Sequence, residues 1–273
     1  MQAKPGAGEG LQRVQEADMN GLQHKQRRKG MGLTLICLVL IGLGVAVQRD
    51  IIVLERWIPA HYLPWAPLQL EDPPGMVTGW KLSRLNENPA ACRAFLAREA
   101  PQRVTFLPDR PSNNGCDLIN SVRMHSASGA SGEQGVRFNQ SFIASCPLAV
   151  SWLRFERHGL RSAAQKVMGS EVTQVFHVGS YACRNIYGRE NARRSEHATA
   201  DALDVTGFTL ADGRQVRLPR DWTAPEDEDA PGRFLRAVQD AACESFGTVL
   251  GPDYNAAHRD HFHLGTRGWR FCR

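Results

Sequence analysis

Residues 195–218 read SEHATADALDVTGFTLADGRQVRL, and this stretch decides the fold class. Two apolar runs, Ala202–Leu210 and Gln215–Leu218, flank Ala211-Asp212-Gly213-Arg214. Asp-Gly between apolar runs signals a hairpin, because the tight turn needs positive φ and Gly supplies it without steric cost. An antiparallel pair of strands is therefore expected here.

Working outward, Val172–Val178 alternates and is β-branched, so it reads as a strand. Thr248–Leu250, His261–Gly265 and Val104–Leu107 are further short strand candidates. Residues 145–168 read as the longest helix, with Ser145 as cap, Pro147 in the first turn and Gly159 as a point where it could break in two. Trp152, Phe155 and Leu160 are its simplest core residues. Arg233–Phe246 is amphipathic, and Asn88 caps a short helix over Ala90–Ala97. Residues 109–117 form a turn-rich loop. Helices and antiparallel strands mix without a βαβ rhythm. This predicts an α+β domain, a small antiparallel sheet flanked by helices.

The apolar fraction is 42% and the charged fraction 22%, both ordinary for a globular chain. A formal charge of +5 over 273 residues is too mild to point to nucleic acid. Part of it sits in Lys25, Arg27, Arg28 and Lys29, just before the uncharged run MGLTLICLVLIGLGVAV at 31–47. A membrane span takes about 17–25 apolar residues. With the basic cluster on its N-terminal side, the run predicts one transmembrane helix, residues 31–48, with a cytoplasmic N-terminus. A cleaved signal peptide is the alternative, though the run is long for one and no clean cleavage site follows. Residues 1–30 read as a disordered tail. Residues 49–80, with five prolines and Trp57, Trp65 and Trp80, read as a juxtamembrane linker or as a domain edge packed on the core. The globular domain is expected over 81–273. Of seven cysteines, Cys37 lies in the apolar run. The other six follow it, and an even number in an oxidising compartment predicts disulfides whose pairing remains open among 15 possibilities.

Nine histidines are present, and four fall in two short motifs: Ser195 to Asp204, and His258-Arg259-Asp260-His261-Phe262-His263. On a strand, residues i and i+2 share a face, so His261 and His263 would point one way and Asp260 the other. His197 precedes the strand carrying Asp204, in a loop that can fold back over it. A catalytic zinc keeps three protein ligands and leaves a fourth position for water. A His, an Asp and a His would meet that need, and of His261 and His263 one could bind the metal while the other stands over the bound water. The acidic run Glu226-Asp227-Glu228-Asp229 reads as a solvated loop.

The spacing S-x-H-x(4)-A-x-D (Ser195, His197, Ala202, Asp204) followed by H-x-H resembles a zinc peptidase superfamily. That superfamily includes D-alanyl-D-alanine carboxypeptidases, murein endopeptidases and the hedgehog signalling domain. With Gly179-Ser180-Tyr181-Ala182-Cys183-Arg184 and Phe246 through His263, the chain is more similar still to the bacterial extensin-like C-terminal family. The resemblance covers roughly residues 70–273. It implies Zn2+ on His197, Asp204 and His263, and cleavage of peptidoglycan stem peptides or cross-links. His261 would be the general base or stabilise the tetrahedral intermediate. Arg184 would hold a carboxylate or the developing oxyanion, its bland alternative being a surface ion pair. His258 matches an extra active-site histidine, and Ser195 would buttress a ligand. Two departures stand out: Ala200 replaces a usual Gly, and Asp260 replaces a Glu that acts as catalytic base. Asp260 therefore reaches in from an irregular strand, or His261 takes its role, or the site is silent.

The implied function is a zinc-dependent hydrolase of cell-wall peptide bonds, held by one N-terminal helix at the bacterial inner membrane and facing the periplasm. The competing readings are a non-catalytic zinc-containing wall-binding or scaffold domain, and an exported domain without metal. Stereochemistry, the bond cleaved and protein partners are not legible.

Overall fold

Helix caps set the first boundaries in the computed structural model, which describes residues 35–42, 44–45 and 56–273 apart from 128–134, 224–228 and 269. It divides into two units, Met1–Pro59 and Ala60–Arg273. In the first unit, residues 35–42 and 44–45 are helical and exposed. No helix among the described residues is long and apolar enough to cross a membrane. The expected tail at 1–30 and parts of the expected span at 31–48 lie outside the described residues, as do Glu226, Asp227 and Glu228 of the acidic run.

The first α-helices of the second unit are α1 (Thr78–Glu87) and α2 (Pro89–Glu99). Asn88 caps α2 as expected, its side chain accepting from the Ala91 N–H at 3.0 Å. Strands β1 (Val104–Phe106), β2 (Ser121–Met124) and β4 (Phe142–Ser145) make a three-stranded antiparallel sheet. The second sheet has seven strands. These are β3 (Arg137–Phe138), β5 (Val172–Gly179), β6 (Ala202–Leu210), β7 (Gln215–Arg217), β8 (Thr248–Leu250), β9 (Phe262–Gly265) and β10 (Phe271–Cys272). The hairpin read from residues 202–218 is β6–β7. The sheet is larger than expected and not wholly antiparallel, since β3 runs parallel to β5 and β10 parallel to β8. Two-residue strands such as β3 and β10 carry no periodicity, so sequence pattern cannot reveal them.

The long helix starts where Ser145 caps it. It runs through α3 (Cys146–Arg154), a π-helical turn (Phe155–Leu160) and α4 (Arg161–Met168). Gly159 does not break it. It lies inside the π turn, where a Cβ would come within 2.9 Å of Phe155 Cδ2 and 3.1 Å of Ala241 Cβ on α5 (Ala230–Ala242). Gly159 therefore lets α5 approach the long helix. Trp152, Phe155, Phe208, Phe234 and Phe262 are essentially fully buried in one core shared by helices and sheet. Each contributes about 1.5–3 kcal/mol of hydrophobic stabilisation. Glu156, also buried, accepts from Arg103 (2.9 Å), Trp152 Nε1 (2.7 Å) and the Val136 N–H (3.0 Å), so its charge is satisfied.

The folded unit takes in much of the stretch expected as a linker. Leu63, Ala66 and Leu68 are buried. The buried Arg154 guanidinium donates to the carbonyls of Gln69 and Asp72 at 3.0 and 3.1 Å, and Lys81 Nζ donates to the Ala60 carbonyl at 2.8 Å. Prolines in this segment mark an irregular chain bound to the core, the domain-edge alternative. The six cysteines close three disulfides: Cys92–Cys146, Cys116–Cys183 and Cys243–Cys272.

Candidate metal centre

Register decides the site. In the antiparallel pairing of β6 with β9, Asp204 lies directly opposite His263, which sets their Cβ atoms about 4.5–5.5 Å apart. His197 reaches the same point from a short 3₁₀ turn, Glu196–Thr199. Ser195 caps that turn by accepting from the His197 N–H at 3.4 Å, so it supports the ligand through the backbone. Ala200 ends the turn in the left-handed conformation, φ 55°. Gly would adopt that conformation freely, whereas Ala200 adopts it against the clash of its Cβ.

The ligand atoms converge tightly. His197 Nε2 lies 3.2 Å from His263 Nδ1 and 3.2 Å from Asp204 Oδ2, and His263 Nδ1 lies 3.1 Å from Asp204 Oδ1. Neighbouring ligands of a tetrahedral zinc with bonds of about 2.0–2.1 Å stand ~3.3 Å apart. The three residues form a group able to hold a metal ion. The outer ring nitrogens are already engaged. His197 Nδ1 donates to the Ser180 carbonyl at 2.9 Å, and His263 Nε2 donates to Glu196 Oε2 at 2.9 Å. Those bonds fix both tautomers with their inner nitrogens turned to the Asp204 carboxylate. Converging lone pairs repel unless a cation lies among them, so the donor set fits a metal.

The electrostatics agree. Burial opposes the Asp204 charge, yet protons shared with the His197 and His263 rings, lying where a cation would otherwise lie, hold its carboxyl well below the usual carboxylate range. Burial also opposes charge on His263, but the Asp204 and Glu196 carboxylates push its pKa up to about 9. The surroundings favour a positive charge at this point.

Around this centre is a cleft of about 940 Å³. His261 sits just before β9, its Nε2 3.7 Å from Asp204 Oδ1 and its ring 5.2 Å from that of His258. Asp260 does not point away from it. His261 precedes the regular strand, so alternation fails there, and His261 Nδ1 donates to Asp260 Oδ1 at 3.0 Å. His258 is buried, donates from Nδ1 to Asn255 Oδ1 at 2.9 Å, and packs 5.8 Å from His263 ring to ring. Burial, reinforced by His261 and His263, pushes its pKa down to about 4. Arg184 lines the cleft and has no ion-pair partner among the described residues.

Sequence reasoning gave Glu196 no role, although it lies inside the quoted motif. Its task depends on β9 crossing above it: its other oxygen accepts from the Arg267 N–H at 2.7 Å. Tyr187 was also missed. It holds φ 55°, a strained backbone for a bulky residue, lines the cleft, and accepts from Asn255 Nδ2 at 2.9 Å.

Comparison with curated proteins and with solved structures found no match. A family model described as the extensin-like protein C-terminus matches residues 90–273, well over half of the chain. The chain belongs to that family.

Proposed function

We propose that this member of the extensin-like C-terminal family is a zinc-dependent hydrolase of peptide bonds in cell-wall peptidoglycan. One observation carries the reading: His197, Asp204 and His263 converge within 3.2 Å of one another, with their outer nitrogens committed, at a broad cleft. The motif's likeness to the zinc peptidase superfamily supplies the substrate class. Zinc, when bound, would polarise a carbonyl and lower the pKa of a coordinated water.

The chain's own residues would do the rest. The Asp260 carboxylate accepts the Nδ1 proton of His261, which leaves Nε2 as the proton acceptor facing the centre. His261 would take a proton from the attacking water and return it to the leaving amine. Glu196 and Ser180 hold the two ligand rings in place, which spares reorganisation during reaction. The three disulfides support an oxidising compartment. Together with the basic cluster and apolar run at residues 25–47, they favour a single anchor in the inner membrane with the folded unit on the periplasmic side.

The test is elemental analysis of the purified full chain, followed by digestion of murein. About one zinc per chain, lost in His263→Ala, together with peptide release that His261→Ala reduces at least a hundredfold, is expected. No stoichiometric zinc after reconstitution would sink the reading. Zinc without peptide release would leave a wall-binding or scaffold domain.

A further inference from the structure

The loop from Arg184 to Ser195 closes on itself as a short antiparallel ladder. The Ser195 N–H donates to the Arg184 carbonyl at 3.1 Å, Asn185 and Arg194 form a bridge, and the Ile186 N–H donates to the Arg193 carbonyl at 3.0 Å. Arg184, Ile186, Arg193, Arg194 and Ser195 all line the cleft.

The ladder is anchored at its base. Cys183, beside Arg184, is bonded to Cys116. Arg194 is committed to the loop itself, donating to the Asn114 carbonyl at 2.6 Å and to Asn185 Oδ1 at 2.9 Å. Arg267, at another part of the cleft, is committed to Asp201 at 3.0 Å. Arg184 and Arg193 differ. Both are exposed, and among the described residues neither guanidinium has a hydrogen-bond or ion-pair partner. The acidic residues lining the cleft are Glu196 and Asp204, and each is already bonded to His263. The cleft thus presents two uncompensated guanidiniums on a braced loop next to the candidate centre.

We propose that Arg184 and Arg193 form a two-carboxylate subsite, so that the preferred ligand is an acidic peptide carrying a side-chain carboxylate close to its C-terminal carboxylate. This deepens the proposed function and rests on it for the choice of a peptide. Guanidinium forks match carboxylates in shape and charge. Each fork can hold a carboxylate of its own bidentately, so the pair suits two carboxylates. Arg193 would then read charge on the residue preceding the C-terminus, and selectivity for acidic peptides would fall to this one side chain.

The experiment is calorimetric binding to the full chain, with zinc and after chelation, using N-acetyl-Ala-Glu-Ala and N-acetyl-Ala-Gln-Ala. The wild type is expected to bind the diacid at least tenfold tighter than the monoacid, a preference that weakens as salt is raised. Arg193→Gln should abolish that preference while leaving monoacid affinity unchanged, Arg193→Lys should retain part of it, and Arg184→Gln should weaken both peptides. Equal affinities in the wild type, an undiminished preference in Arg193→Gln, or no binding of either peptide at millimolar concentration would overturn the subsite. Because the readout is binding of uncleaved peptide, a zinc-free or hydrolytically silent protein that still shows the preference would defeat the hydrolase reading alone.

Discussion

Gly265 is expected to control metal affinity without touching the metal. It lies on β9, two residues beyond His263, and a Cβ built on it would stand 2.1 Å from Glu196 Oε2 and 2.7 Å from Glu196 Cδ. A methyl group cannot occupy that space, so Gly265→Ala must push the Glu196 carboxylate off His263 Nε2. The 2.9 Å hydrogen bond that fixes the His263 tautomer is then lost. Removing a partner of this kind costs about 10–100-fold in metal affinity, or about 1.4–2.8 kcal/mol. Glu196→Ala removes the same bond from the other end and should cost the same. Glu196→Gln keeps an acceptor oxygen but loses the charge, so its loss should be smaller. The two routes converge on one contact, so Gly265→Ala combined with Glu196→Ala should be no worse than either alone. Competition with a chromophoric zinc chelator reads all four variants. Wild-type affinity in Glu196→Ala, or additive losses in the double variant, would refute the reasoning.

Two further outcomes follow from the packing. His177 is buried against the rings of Phe138 and Phe142, with Nε2 donating to the Gln140 carbonyl at 2.9 Å, and burial lowers its pKa. The unfolded chain therefore takes up a proton below about pH 6.5 that the folded chain refuses, so stability should fall as pH drops through that value by up to about 1.4 kcal/mol per unit for this group. Urea unfolding at pH 7.5 and 5.0 should show the fall, and His177→Phe should shrink it without abolishing it, because His158 and His258 are lowered as well. Gly159→Ala should destabilise by about 1–3 kcal/mol through overpacking against Phe155 and Ala241, although Ala is worth about 1 kcal/mol more than Gly in an ordinary helix interior; a rise in thermal midpoint would contradict this account of the π turn.

What was legible in the sequence was local. The Asp-Gly hairpin, the caps Asn88 and Ser145, and the long strand at 202–210 depend on residues within a few positions of one another, and all formed as read. The three candidate ligands were legible because their motifs are short and their residue types are chemically specific. Tertiary structure decided the rest, since each remaining feature joins residues far apart in the chain. The cystine pairing, the docking of residues 60–72 under Arg154 and the contact of Glu196 with His263 are of this kind. Asp260 shows the limit most directly. Strand alternation pointed it away from His261, but β9 begins at Phe262, and where a strand begins is set by its ladder partners on β6 and β8 rather than by the residues themselves.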